Sequence, residues 1–440
     1  MKITDSRLRG NDKSKNRRIK NIANNSQSNQ MEKIIELLGE HNTWRKKCIN
    51  LIASENVMSP YCEKYYVSDL MHRYAEGLPF NRYYQGLKYV DQIEDIASQA
   101  FKDHFKANFV DIRPISGTLA NFAVFSALAE RGDTIMNLGI QGGSHVSHEQ
   151  AGAVGVLGLK SYALPFDEIN LKLDLPEIEK KILELKPKFI VMGGSVITFP
   201  QPIREIRAIC DQTDTKIIYD AAHVFGLITA GRFQNPLEEG ADIITASTHK
   251  TFPGPQGGII IGNNLDEKLQ KRIQNKVFPG VLSNHHLHRI PPLFLALREM
   301  QKFGVAYTDQ IIKNAQALAA SLDEAGFDVL YKDRGFTQSH QVVVNVEKQG
   351  GGDPIAKKLE EASIILNKNI IPGDTDNPTK PRGLRIGVQE MTRFGMKEEE
   401  MKQIARFISE VVIKNEETEK VRKDVEEFRG RFQKTAYCFE

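Results

Sequence analysis

Between about residue 90 and residue 300 the chain alternates amphipathic stretches with short apolar runs. Apolar positions recur at helical spacing in "DQIEDIASQAFKDHF" (91–105) and in "LANFAVFSALAERG" (119–132), the second predicted to close at Gly132. Short apolar runs at Thr134–Asn137, Phe189–Met192, Lys216–Tyr219, Ile243–Ala246 and Gly258–Ile261 read as strands. Leu175–Leu185 and Arg204–Gln212 read as helices between them. Strands alternating with helices imply a mostly parallel sheet covered on both faces, which binds ligands beyond the carboxyl ends of its strands. "AGAVGVLGLK" spaces Gly152, Gly155 and Gly158 by three and reads as a flexible or close-packed loop.

After about residue 300 the pattern changes. "FDVLYKD", "HQVVVNVE", "IILNKNIIP" and "GLRIGVQEMT" read as antiparallel strands, with helices near 355–362 and 398–414 and a charged amphipathic helix at the end. These describe a smaller α/β domain. Upstream, residues 31–50 read as a helix with Ile34, Ile35, Leu37 and Leu38 on its apolar side. Leu51–Tyr89 has neither period; its interleaved Arg, Tyr and Gly predict a long ordered loop of the kind that carries interfaces and ligand pockets.

Residues 1–30 are polar and carry eight Lys/Arg against two Asp, net +6. They read as a disordered basic tail, or as an extension ahead of a natural start at Met31, and lack the apolar region of a secretory signal. The expected organisation is therefore tail 1–30, helix and interface segment 31–75, large domain 76–300 and small domain 301–440. A net charge of +3 leaves the rest of the chain at −3, so no basic field steers nucleic acid. Four scattered cysteines without a C-x-x-C pair point to a reducing compartment, and no apolar run is long enough for a membrane span. The expectation is a cytoplasmic protein.

Three places carry chemistry. In "ITASTHKTFPGPQGGIII", Lys250 follows an apolar strand, with His249 before it and a Gly/Pro-rich turn after it. Such a lysine is either a solvated gatekeeper or an amine made nucleophilic in a partly dry pocket. In "KIIYDAAHVFG", the strand-end Asp220 either caps the next turn or holds a cofactor nitrogen protonated, with His223 three residues on. In "RPISGTLANFAV", Ser116, Gly117 and Thr118 open a helix whose first amides favour an anion. Together they describe pyridoxal phosphate held at aldehyde, ring nitrogen and phosphate. Neither G-x-x-x-x-G-K-[ST] nor G-x-G-x-x-G occurs, so P-loop and dinucleotide fingerprints are missing. The histidines of "SNHHLHR" (His285, His286, His288) read as a polar rim rather than a metal site, having no neighbouring carboxylate in sequence. No metal is expected.

The ordered series "LIASEN", "RYAEG", "RYYQG", "SGT-AN", "GGSHVSH", "YDAAHV-G", "STHKT--GP-GG", "VFPG", "NKN-IP" and "GLRIG" resembles serine hydroxymethyltransferase, from about Leu37 to about Ile413. The resemblance implies the aspartate-aminotransferase-like fold of pyridoxal-phosphate enzymes, and interconversion of serine and glycine with transfer of a hydroxymethyl unit to a reduced pterin. It implies Lys250 as the covalent anchor of the cofactor aldehyde, Asp220 as partner of the ring nitrogen, and His145 stacked on the ring. Ser116 and Gly117 would bind the phosphate, helped by Ser195, His223 and His249. Arg385 and Ser54 would hold the substrate carboxylate, Glu76 would act as acid/base, Tyr84 would line the reacting centre and Asn369 would meet the pterin. Tyr74, Glu76, Tyr83 and Gly280 would come from a neighbouring subunit, making a homodimer with shared sites.

The likeness departs from the common pattern after "VFPG", at Gln256 and at "VQEMTRFGM", changes that resemble the archaeal branch of the family. Two rivals remain at this point. A pterin-independent aldolase acting on allo-threonine-type substrates would keep Lys250, Asp220 and Arg385 without needing Asn369 or Glu76. A catalytically silent binding module would have lost Lys250 or Arg385.

Overall fold

The computed structural model describes residues 11–167, 170–374 and 380–440, with side chains given from residue 29 onward. Helix α1 (Asn11–Lys47) begins well upstream of residue 31; its run to Gln30 holds no proline or glycine that would break it. Its apolar residues Ile34, Ile35 and Leu38 remain exposed on this chain. Residues 1–10 of the expected tail lie outside the described residues.

The segment expected as an ordered loop is irregular apart from single helical turns at Pro60–Glu63 and Asp69–His72 and a tight hairpin pairing Gly77–Leu78 with Asn81–Arg82. The buried Arg82 guanidinium fixes it, bonding Asp91 at 2.8 Å and Glu94 at 2.7 Å on α2 (Lys88–Phe105). His285 Nε2 lies 2.9 Å from the same Glu94 and is buried, so the expected polar rim is corrected at His285, while His286 is exposed and His288 half-buried. The carboxylate that His285 lacks in sequence arrives from α2. No group of three or more metal-ligating side chains occurs among the described residues.

The large sheet has seven strands: β1 (Phe109–Asp111), β2 (Thr134–Asn137), β3 (Lys160–Ala163), β4 (Phe189–Gly193), β5 (Lys216–Asp220), β6 (Ile243–Ser247) and β7 (Gly258–Gly262). Their order is β1-β7-β6-β5-β4-β2-β3; β7 runs antiparallel to both neighbours and the other contacts are parallel. Alternate residues serve opposite faces. Val191, Ile218, Ile243 and Ile260 pack with Ala120, Val124 and Phe125 of α3 (Gly117–Leu128). Ile190, Met192, Ile217, Ile244 and Ile261 join Ile178 of α4 (Leu175–Leu185) and Ile206 of α5 (Ile203–Cys210). Burial on both faces is why these strands read as unbroken apolar runs.

Some local expectations shift. α3 ends at Leu128, ahead of Gly132. The glycine-spaced stretch forms a short helix, Ala153–Leu157, closed by Gly158 in the left-handed conformation at φ +68°. The division expected at residue 300 falls inside α6 (Ile290–Glu324). Beyond it, β8 (Asp328–Val329), β9 (Gln341–Asn345), β10 (Asn367–Asn369) and β11 (Gly383–Gly387) form an antiparallel sheet in the order β8-β9-β11-β10. After β11 the chain turns helical at Gln389–Arg393, so the "VQEMT" end of the expected strand is corrected. Helices α7 (Gly352–Glu361), α8 (Glu398–Val412) and α9 (Thr418–Gly430) complete this part. Ile49–Asn50 pairs in parallel with Ile364–Ile365, tying the start of the irregular segment to the C-terminal part. No helix among the described residues is long and apolar enough to cross a membrane.

Candidate active site

The carboxyl ends of β4, β5 and β6 meet the start of α3 around a cavity of about 200 Å³, lined among others by Ser116, Gly117, His145, Asp220, His223, His249 and Lys250. Seven of the residues singled out in sequence thus converge. Lys250 is held by a closed turn: Thr248 Oγ1 donates to the Pro255 carbonyl at 2.6 Å and Thr251 Oγ1 to that of His223 at 2.8 Å. Asn56, from "LIASEN", donates to the Lys250 carbonyl at 2.6 Å and to the Tyr307 hydroxyl at 2.9 Å.

Burial pushes the Lys250 amine down to about 8, against the upward pull of Asp220 and with the downward push of Arg385. Burial is the largest single influence on Asp220 and opposes its charge, yet the hydrogen bonds from His148 and Asn121 and the pull of His148 and His145 together outweigh it and hold the carboxyl below the ordinary carboxylate range. Asp220 Oδ2 receives Nε2 of His148 at 2.9 Å and Nδ2 of Asn121 at 2.8 Å, while Oδ1 receives the Ala222 N–H at 2.9 Å. The Ala222 bond means that Asp220 caps its own turn, as one of its two sequence readings expects, while Oδ2 is turned toward His148 and Asn121. Thr245 Oγ1 donates to Asn121 Oδ1 at 2.6 Å, which fixes the amide with its NH₂ toward Asp220. Burial lowers His145 and His249 to about 4 and His223 well below its ordinary value, so all three are neutral near pH 7.

At the anion end, Ser116 caps α3 by accepting the Leu119 N–H at 3.2 Å. A Cβ on Gly117 would lie 2.6 Å from Ser247 Oγ, so a larger residue there would force the Ser247 hydroxyl to turn away from the helix start. His249 Nδ1 is buried without a protein partner. One low-pKa amine, one anchored carboxylate, a helix start and an unpartnered ring nitrogen fit an aldehyde cofactor with a protonated ring nitrogen and a phosphate.

Arg385, central on β11, is buried; its Nη1 donates to the Ser195 carbonyl at 2.9 Å and stands 3.5 Å from His223 Nε2. Its Nε and Nη2 face Asn367 Oδ1 at 3.4 and 3.3 Å, leaving one Nη2 proton uncommitted. Ser195 meets this group through its carbonyl and does not line the cavity. Ser54 is half-buried beside Ala53, whose carbonyl faces His340 at 3.1 Å. Asn369 lies at the end of β10, with Nδ2 toward the Ile370 carbonyl at 2.5 Å.

Five expected residues stand apart from the cavity in this chain. Tyr74 and Tyr84 pack edge to face at 5.8 Å, Tyr83 lies against Phe278 at 6.0 Å with 73% of its surface exposed, and Glu76 lines a small cleft with His285. Gly280 sits in the turn facing the Asn275 carbonyl. Sequence reasoning missed Asn121, His148 and Gln341. A polar residue one turn into an otherwise apolar helix was the available signal for Asn121.

A family model described as serine hydroxymethyltransferase matches residues 27–408. Proteins named serine hydroxymethyltransferase from Sulfolobus acidocaldarius and Pyrococcus abyssi are 49% and 50% identical, each over 93% of this chain and over 95% and 97% of their own lengths. The one from Methanocella arvoryzae is 50% identical over 89% of this chain and 92% of its own. Among solved structures, L-threonine transaldolase from Pseudomonas fluorescens superposes with a TM-score of 0.85 at 29% identity, covering 95% of this chain and 96% of that one.

Proposed function

The chain belongs to the serine hydroxymethyltransferase family and is an enzyme of that activity, and we propose that it passes the one-carbon unit of serine to a reduced pterin at sites shared between two copies. The observation that carries this is the convergence of Lys250, Asp220 and the start of α3 on one cavity, with Arg385 alongside. The family implies pyridoxal 5'-phosphate, whose protonated ring supplies an electron sink for the carbanion left at the amino-acid α-carbon.

The chain's own residues have separable tasks. Lys250 offers a partly neutral amine near pH 7 because burial disfavours its charge. Asp220 stays anionic under its three donors and holds a proton on a facing nitrogen. The α3 start and Ser116 take the phosphate. Arg385 offers a planar edge to the substrate carboxylate, a task lysine does badly. Glu76 of a second copy moves the proton of the serine hydroxyl, with Tyr74 and Tyr83 beside it.

Sharing is supported by the place of those three residues outside this chain's cavity and by the exposed Tyr74, Phe80, Tyr83 and Tyr89, an aromatic surface of the kind that marks interfaces. Small polar substrates and four free cysteines fit the cytoplasm. Relatives near 50% identity favour this reading over the aldolase, for which the transaldolase neighbour at 29% is the nearest support. Mixing Lys250→Ala with Glu76→Gln protomers tests it. Each variant alone is inactive, while an equal mixture regains about a quarter of wild-type activity, because half the dimers hold one intact site. An inactive mixture that has exchanged subunits overturns the shared site.

A further inference from the structure

Gln341 opens β9 at the inner edge of the small sheet and is fully buried. Its Oε1 accepts the Ile197 N–H at 2.7 Å, which fixes which end of the amide is nitrogen. Nε2 then donates to the Ser195 carbonyl at 2.8 Å and faces Nδ1 of His223 at 2.9 Å. An amide nitrogen has protons and no usable lone pair, so His223 Nδ1 accepts. The neighbouring His340 agrees. Its Nε2 faces the Ala53 carbonyl at 3.1 Å, so that nitrogen carries the proton, and it lies 3.4 Å from His223 Nδ1. His340 Nδ1, the lone-pair end, has no partner. Gln341 therefore donates to Nδ1 of His223, His340 offers no lone pair on that side, and the His223 ring proton is left on Nε2.

That nitrogen stands 3.5 Å from Arg385 Nη1. Arg385 Nη1 aims a proton at that nitrogen, but the Gln341 contact to Nδ1 is shorter, at 2.9 Å, and takes the ring's one lone pair. With Nε2 protonated the two donors crowd each other, and an anionic oxygen between them satisfies both. The Ser195 carbonyl, held by Gln341, also receives Arg385 Nη1 at 2.9 Å. One amide thus sets both halves of the pair.

We propose that Gln341 is a positioning residue: it holds His223 as the Nε2–H tautomer and, through the Ser195 carbonyl, aims Arg385, so that the two present a joint anion site for the amino-acid carboxylate. The tautomer stands on these hydrogen bonds alone, while its catalytic meaning rests on the function proposed above.

Two-bond ¹H–¹⁵N spectra of histidine-labelled protein without cofactor, with His223 assigned by its loss in His223→Asn, read the tautomer directly. Wild type is expected to show the Nε2–H pattern. Gln341→Glu, which keeps the acceptor and removes the donor, is expected to place a proton on Nδ1. In the loaded enzyme it raises the KM for serine by about 10-fold to 100-fold with little change in kcat, the weight of one hydrogen bond to a charged group. A merely structural role would instead leave the tautomer alone and lower kcat with stability. An Nδ1–H pattern in wild type, or an unaltered Nε2–H pattern in Gln341→Glu, overturns the proposal. If the variant does not fold, the wild-type spectrum still decides. An Nε2–H wild type that fails to act on serine overturns the proposed function and leaves the tautomer standing.

Discussion

Glu299 and Arg393 form an ion pair at 2.7 Å whose side chains are 0% and 1% exposed. Glu299 Oε1 also accepts Ser59 Oγ at 2.6 Å and the Phe439 N–H at 3.1 Å, and Arg393 Nη1 donates to the Tyr437 carbonyl at 2.6 Å. The pair therefore clamps the C-terminal residues against α6. Its other neighbour is Tyr307, 5.4 Å from the Tyr437 ring and under the Arg393 guanidinium at 5.6 Å. Tyr307 in turn receives Asn56, which bonds the Lys250 carbonyl. Glu299→Gln keeps shape but turns an NH₂ or a neutral oxygen toward Arg393, leaving a buried cation uncompensated. Breaking such a pair costs about 3–5 kcal/mol. At about 2.1 cal/mol/K of unfolding entropy per residue, 440 residues give about 0.9 kcal/mol/K, so Tm falls by about 3–5 °C. The assay is a thermal melt of cofactor-free protein at fixed concentration. Glu299→Met with Arg393→Leu, which removes both charges, recovers at least half of the loss, because apolar replacement of a buried pair is often neutral. A Glu299→Gln melt within about 1 °C of wild type, or a double variant that loses the sum of both singles, refutes the reasoning.

The lysine and a second carboxyl give pH signatures. With Lys250 near 8, about a tenth of it is neutral at pH 7, against about one part in three thousand for an ordinary lysine. Capture of pyridoxal phosphate by apoprotein, followed by absorbance, therefore rises with pH and levels off above about 8; a rise continuing toward 10.5 contradicts the buried setting. Glu390 is buried with Asn50 Nδ2 at 2.8 Å, and burial pushes its carboxyl up to about 7. A raised folded pKa means stability present below the unfolded value near 4.5 and lost as pH rises through 7. Denaturation midpoints of wild type should fall relative to Glu390→Gln across that window, and parallel curves would remove the effect.

What the sequence made legible follows from where each signal lives. Strands β4 to β7 were readable because burial on two faces writes a continuous apolar run, and α4 was found at Leu175–Leu185 because its period is local. Lys250 and Asp220 were readable as neighbours because both follow carboxyl ends of parallel strands, where the cavity lies. Their settings were not. Asn121 reaches Asp220 across 99 positions, His148 across 72, and Gln341 reaches His223 across 118. Each looks, in its own segment, like an ordinary polar residue. His285 fails for the same reason, since its carboxylate partner is 191 positions away. The glycine-spaced run misled because Gly158 ends a helix as readily as it loosens a loop.

Glycine formation from serine by the purified, cofactor-loaded protein, with tetrahydrofolate, with tetrahydromethanopterin and with neither, tests the central claim most directly. Turnover that requires one of the two pterins, and vanishes in Lys250→Ala, is the expected result. Equal cleavage of serine without any pterin, or activity surviving the loss of Lys250, would contradict it.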